Sequence, residues 1–197
     1  MASSRDLHNW TKHGYAGIGA KSGSIINEIK DGRLVAAKIN GKYWMSVGEN
    51  SVELASSDDL IHWTKVGTVM TPRRAFPDSS LTEVGPQALL TGKGIILFYN
   101  GKNGDPRNNG DPQLPNGVYT GMQALFDAKD PAKLLARLDH PFFKPELSWE
   151  KSGQYAQGTT FIEGLVLFKG KFFLYYGCAD TFVGVATCDS PRMDGEI

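Results

Sequence analysis

This chain has no excess of positive or negative charge. Its 21 lysines and arginines balance 21 aspartates and glutamates over 197 residues, and the charges are scattered. That excludes a basic face for nucleic acid or an anionic membrane. Cysteine is scarce: Cys178 and Cys188 are the only two, too few for a disulfide framework. Both lie in or beside apolar runs and read as buried free thiols, with a bridge across one hairpin as the alternative in an oxidising compartment. No apolar stretch reaches the ~18 residues of a membrane span, so none is expected. No charged segment followed by an apolar one opens the chain, so no signal peptide is visible, and a soluble protein, cytoplasmic or periplasmic, is expected. GxSxG, HExxH, a phosphate loop and CxxC are all absent, which removes serine hydrolase, zinc protease and nucleotide-enzyme readings. The four histidines (His8, His13, His62, His140) include no pair at metal-ligand spacing, so neither a metal nor a cofactor is assigned.

What the chain does have is a phrase written twice. Residues 3–14 read SSRDLHNWTKHG and residues 56–67 read SSDDLIHWTKVG, with eight identities in twelve positions at a spacing of 53. That spacing is close to the ~40–50 residues of one propeller blade. The phrase itself has a structural reading. Its Ser and Asp cap a tight turn, and Trp10 and Trp63 are expected to pack between blades. Because the first copy begins at Ser3, the chain reads as starting at the last turn of a blade.

Between the turns lie short strands. Residues 34–39 lead into Asn40-Gly41, a strong hairpin signal, and residues 42–47 return; residues 51–55 form a third strand. The same unit recurs at 87–99 around Gly92-Lys93-Gly94, and at 164–176 around Lys169-Gly170-Lys171, followed by 182–186. Three hairpin-plus-strand units in a row predict radially repeated antiparallel sheets: an all-β fold. Residues 131–136 predict a short helical turn, since Asp130 can cap it and Pro131 suits its first position. The polar stretch 101–117 reads as a functional lid or a disordered loop.

Four stretches together resemble glycoside hydrolase family 130, the five-bladed β-propeller glycosidases and phosphorylases of mannosides. They are Lys30-Asp31 with KINGKYWM at 38–45, ASSDDLIHW at 55–63, VGPQALLTGKGIILFYNG at 84–101, and DPAKLLAR at 130–137 with GTTFIEGLVLFKGKFFLYYGCADTFVGVA at 158–186. The resemblance implies a single partial propeller domain over 1–197, about three blades plus the tail of another, with repeats near 15–67, 80–140 and 155–190. It also implies inverting cleavage of β-mannosides, with an acid assisting the leaving oxygen and phosphate or water attacking the opposite face. The family's proton-donating Asp comes from an early blade that no part of this chain matches.

Glu163 is the first candidate catalytic carboxylate. It interrupts the apolar run 160–167, where a charge is costly unless paired or used. Glu83, before Val84-Gly85-Pro86, and Glu49, in the turn Gly48-Glu49-Asn50, are further candidates. Asp180 closes the YYGxxD stretch, where the resemblance implies contact with sugar hydroxyls, and Tyr176 belongs to that stretch. A rival reading has Asp180 fixing the turn before Thr181. Lys30 matches a position where the family's phosphorylases hold phosphate; Asp31 and Asn100 complete the substrate-binding set. Where the family carries Tyr-His-Gly, this chain has Tyr99-Asn100-Gly101, and where phosphorylases often show His-Arg it has Val47-Gly48 and then Glu49. Losing cations and gaining carboxylates favours hydrolysis over phosphorolysis. The reading is therefore a glycosidase that hydrolyses β-mannosides or related oligosaccharides with inversion. A phosphate-dependent phosphorylase is the alternative, and a non-catalytic sugar-binding propeller or inactive fragment stands behind both. Self-association through exposed blade edges is expected.

Overall fold

The computed structural model describes residues 1–189; residue 190, the last of the expected third repeat, lies outside them. Sixteen strands follow in chain order among those residues. β1 (Ala2–Ser3) and β2 (Thr11–Lys12) pair with each other around the first copy of the repeated phrase. A first meander follows from β3 (Gly23–Lys30), β4 (Arg33–Ala36), β5 (Lys38–Ile39), β6 (Lys42–Val47), β7 (Val52–Ser57) and β8 (Thr64–Met70). The second comprises β9 (Leu81–Val84), β10 (Ala88–Thr91), β11 (Gly94–Lys102), β12 (Tyr119–Phe126) and β13 (Leu134–Arg137). The third is β14 (Thr160–Phe168), β15 (Lys171–Cys178) and β16 (Phe182–Asp189). The fold is all-β, as expected, with one short 3₁₀ turn at Ser148–Lys151.

Strand order explains how the meanders join. In the first, β3 pairs β6, β6 pairs β7 and β7 pairs β8, all antiparallel. Halfway along, β3 leaves β6, hairpins with β4, and lies parallel to β10 at Ile26↔Ala88 and Asn27↔Leu89. The second meander then runs β10-β11-β12-β13. Alternation along β11 places Leu97 and Tyr99 in the core between the first and second sheets, with Ile26, Val52, Val84 and Met122. Phe98, on the other face, packs towards the third sheet with Leu89, Leu165 and Phe172. Sheets covered on both faces in this way account for the nearly continuous apolar runs.

The two ends of the strands are unequal. At one end lie tight two-residue turns, Asp31-Gly32, Asn40-Gly41 and Lys169-Gly170, each with both central residues at positive φ, as such hairpins require. At the other end lie the long connections 71–80, 103–118 and 138–159, with the shorter turns 48–51 and 179–181. The connection 103–118 is well organised. Its buried Asn103 donates to the carbonyls of Asp111, Leu114 and Pro115 and accepts from the Asp111 N–H.

Three expectations need correction. Of the helical turn expected at 131–136, only a non-helical turn at 131–133 forms and residues 134–136 belong to strand β13, because the edge of β12 offers a ladder (Leu125↔Ala136, Phe126↔Leu134) that outweighs local preference. Asp130 still caps a turn, accepting from the Ala132 N–H. Trp63 is buried within the first sheet and its N-terminal strap, against Met45, Val47 and Ala55, whereas Trp10 is 56% exposed. Both cysteines are free, but Cys188 is exposed where burial was expected.

Candidate active site

At the long-connection end, three sheets deliver carboxylates to one place. Glu83, the penultimate residue of β9, stands opposite Asn100 of β11 and is 3% exposed. Lys21, from the strap before β3, brings its Nζ to 3.2 Å from Glu83 Oε1 and 4.0 Å from Glu49 Oε2. The ion pair is not a well-directed hydrogen bond, and Glu83 Oε1 has no such partner. Burial pushes the Glu83 carboxyl above its usual range; Lys21 opposes this, and Glu49 and Glu163 add to it as like charges. The Glu83 contact in turn holds the Lys21 ammonium above its usual range.

Glu163, near enough to act on Glu83 as a like charge, stands at a β-bulge. Ile162 pairs with Tyr176 and Gly164 with Tyr175, leaving Glu163 as the extra residue on β14. A bulge re-aims one side chain, and such kinks are common beside active sites. Glu163 is exposed and lines a cavity of about 720 Å³ with Gly85, Pro86 and Gln87 and with Met1, Ser3 and His13 of the N-terminal segment; Lys21 and Glu49 line a separate, smaller cavity. Lys21 sits 5.8 Å from the ring centre of Phe161, two residues before Glu163 on β14, and that ring meets Tyr119 edge to face.

The structure therefore brings Glu49, Glu83 and Glu163 together. Of the other expected site residues, Asn100 lies in register beside Glu83, and the rest stand apart from the carboxylates. Asp180 is exposed in the β15–β16 turn, at the same end of the sheets, with φ 56°. Asn100 is fully buried and commits both amide atoms to the backbone of Ile162. Tyr176 is buried and donates its hydroxyl to Glu150 Oε1 at 2.8 Å. Burial first, and then Glu150, push that phenol up. Lys30 and Asp31 stand at the tight-turn end, seven residues along β3 from Gly23, on the order of 20 Å at strand rise.

Sequence reasoning missed Lys21, whose only local signal is a lysine just before a Ser-Gly strand start. It also missed the buried carboxylates Asp78, Asp111 and Glu150. Asp78 is fully buried and accepts from Arg73, Arg137 and the Tyr99 hydroxyl, which with Arg137 Nη1 on the Thr71 carbonyl ties 71–80 to β13. Glu150 accepts the Glu146 and Leu147 N–H groups besides Tyr176. Their partners are too distant in sequence, or too plain in type, to be recognised there.

The family model described as β-1,4-mannooligosaccharide phosphorylase matches residues 1–194. A 1,2-β-oligomannan phosphorylase from a Thermoanaerobacter species is 31% identical over 188 residues, 94% of this chain and 56% of its own. Among solved structures, a glycosyl hydrolase from Bacteroides ovatus is 51% identical with a TM-score of 0.91, over 97% of this chain and 57% of its own. Another, reported with the finding that the family of mannoside phosphorylases contains glycoside hydrolases that target β-1,2 mannosidic linkages in Candida mannan, is 48% identical with a TM-score of 0.90. It covers 95% of this chain and 56% of its own. The chain thus spans little more than half the length of these relatives. The family description and the curated names, all phosphorylases, fit the phosphate-dependent alternative better than the hydrolysis inferred from sequence. Family model, curated relatives and solved structures agree on one placement: the chain belongs to glycoside hydrolase family 130.

Proposed function

We propose that the pole formed by Lys21, Glu49, Glu83 and Glu163 delivers the attacking group in an inverting β-mannoside-cleaving site of the whole protein. The observation that carries this is Glu83, a buried carboxylate whose proton affinity is raised beside two further carboxylates and one lysine. A carboxylate of raised pKa is a better proton acceptor near neutral pH. In this reading Glu83 takes the proton of an attacking water while Glu163, aimed by its bulge, orients that water. Asp180, on its turn at the same end, accepts from sugar hydroxyls. The acid that protonates the departing oxygen lies outside this pole, since inverting enzymes place acid and base on opposite faces of the sugar.

Water is the attacking group that the local charge supports: three carboxylates against one ammonium repel a phosphate dianion. Phosphorolysis is the second reading. The names of the curated relatives support it, and Lys21 is the cation that would hold the phosphate. Incubating the whole protein with β-1,2- and β-1,4-mannobiose, with and without inorganic phosphate, separates the two. Free mannose in phosphate-free buffer supports hydrolysis; mannose 1-phosphate formed only with phosphate present supports phosphorolysis. Binding of either sugar with no turnover would leave a sugar-binding propeller and overturn both.

A further inference from the structure

The bulge that aims Glu163 has a dedicated support. Asn100 lies in register with Glu83 on β9 and with Gly121 on β12, so the three residues form one row across the second sheet. Ile162 of the third sheet docks on that row. Asn100 Nδ2 donates to the Ile162 carbonyl at 3.0 Å, and the Ile162 N–H donates to Asn100 Oδ1 at 2.8 Å. One glycine makes room for it: a Cβ on Gly85 would stand 2.9 Å from the Ile162 carbonyl oxygen and 3.1 Å from Ile162 Cγ1. Ile162 itself is fully buried. The residue immediately after this grip is Glu163, which the β14–β15 ladder leaves unpaired.

A fully buried amide with both polar atoms on one residue of another sheet does more than satisfy a strand. The adjacent bulge is the only break in the β14–β15 register, so the backbone there is free to be set by something other than its own ladder. We propose that Asn100 is a positioning residue: by gripping both backbone polar atoms of Ile162, it fixes where the bulged Glu163 carboxylate stands relative to Glu83, its own neighbour in register. The value of this to catalysis rests on the role proposed above for the pole. The positioning itself does not, because it is a statement about two side chains and can be read without substrate.

The test is a double-substitution cycle read by carboxyl ¹³C NMR titration of Glu83. The charged groups that face Glu83 are Lys21, Glu49 and Glu163. Removing the like charge with Glu163→Gln should lower the Glu83 titration midpoint. In an Asn100→Ala background the same substitution should lower it by less than half as much, since Glu163 is no longer held there. An equal shift in both backgrounds would overturn the proposal, because an asparagine with a purely structural role costs stability without uncoupling the two carboxylates. If Asn100→Ala does not fold, Gly85→Ala displaces the Ile162 carbonyl while leaving Asn100 in place, and the cycle has the same two outcomes. Turnover of mannobiose by the same variants is scored separately, so failure of the cleavage reading leaves the NMR result interpretable.

Discussion

A buried carboxylate with one partial partner is held against its own preference, and Glu83 is that residue. Its folded-state pKa lies above the unfolded value, so the folded chain binds a proton more readily than the unfolded chain. The stability linked to this group is therefore full below the unfolded pKa of about 4.3 and is lost as pH rises through the folded value. Glu83→Gln should match or exceed the wild-type melting temperature at pH 7, with the difference shrinking towards pH 4; a clear loss at pH 7 would mean that the Lys21 pair outweighs burial. Glu163 was legible in the sequence because a charge interrupts an apolar strand. Its bulge was not, since it depends on the register of β15 and on a grip from residue 100, 62 positions away. Lys21 was missed for the opposite reason: nothing local distinguishes it from any exposed lysine.

At the scale of elements, the repeated phrase builds the same turn twice. Ser4 and Ser57 accept from the N–H three residues on, at 2.8 and 2.9 Å. Asp6 and Asp59 accept from His8 and Asn9, and from Ile61 and His62. Each Trp indole donates back to the leucine carbonyl three residues earlier. Contacts from Asn9 in one turn and His62 in the other, with these backbone donors, hold both aspartates below the usual carboxylate range. The turns are thus fully bonded at neutral pH and weaken as acid protonates them. Equal turns do not mean equal consequences. Trp63→Ala should cost about 3–5 kcal/mol by urea unfolding, since Trp63 is 5% exposed. Trp10→Ala, on an exposed ring, should stay within about 0.5 kcal/mol. Asp78→Ala, by the same measurement, should cost about 3–5 kcal/mol, because it leaves Arg73 and Arg137 facing each other without their buried counter-charge. The ladders and turns were readable from alternation and Asn-Gly signals. Strand β13 was not, because its identity comes from the open edge of β12.

On the scale of the molecule, three meanders stack through shared cores, and the last has one apolar face that the other described residues leave uncovered. Val166, Phe168, Tyr175, Val183 and Val185 are all exposed on the third sheet. A patch of this kind favours association. The chain as given should self-associate at high concentration by light scattering, and Val166→Lys with Val185→Lys should restore a monomer; a clean monomer without them would contradict this. The architecture was legible because a repeat and three hairpins state it openly. The proposed pole was only partly so: its carboxylates come from three separate turns and strands, and their proximity is a property of the stack.

The central claim is that Glu83 acts as the base of this pole. Its most direct test is Glu83→Gln in the whole protein, measured for mannobiose turnover and melting temperature together. The account predicts a fall in kcat of about 10²–10⁴, the usual worth of general base catalysis, with a melting temperature equal to or above wild type. Turnover within a few-fold of wild type in the folded variant would contradict it.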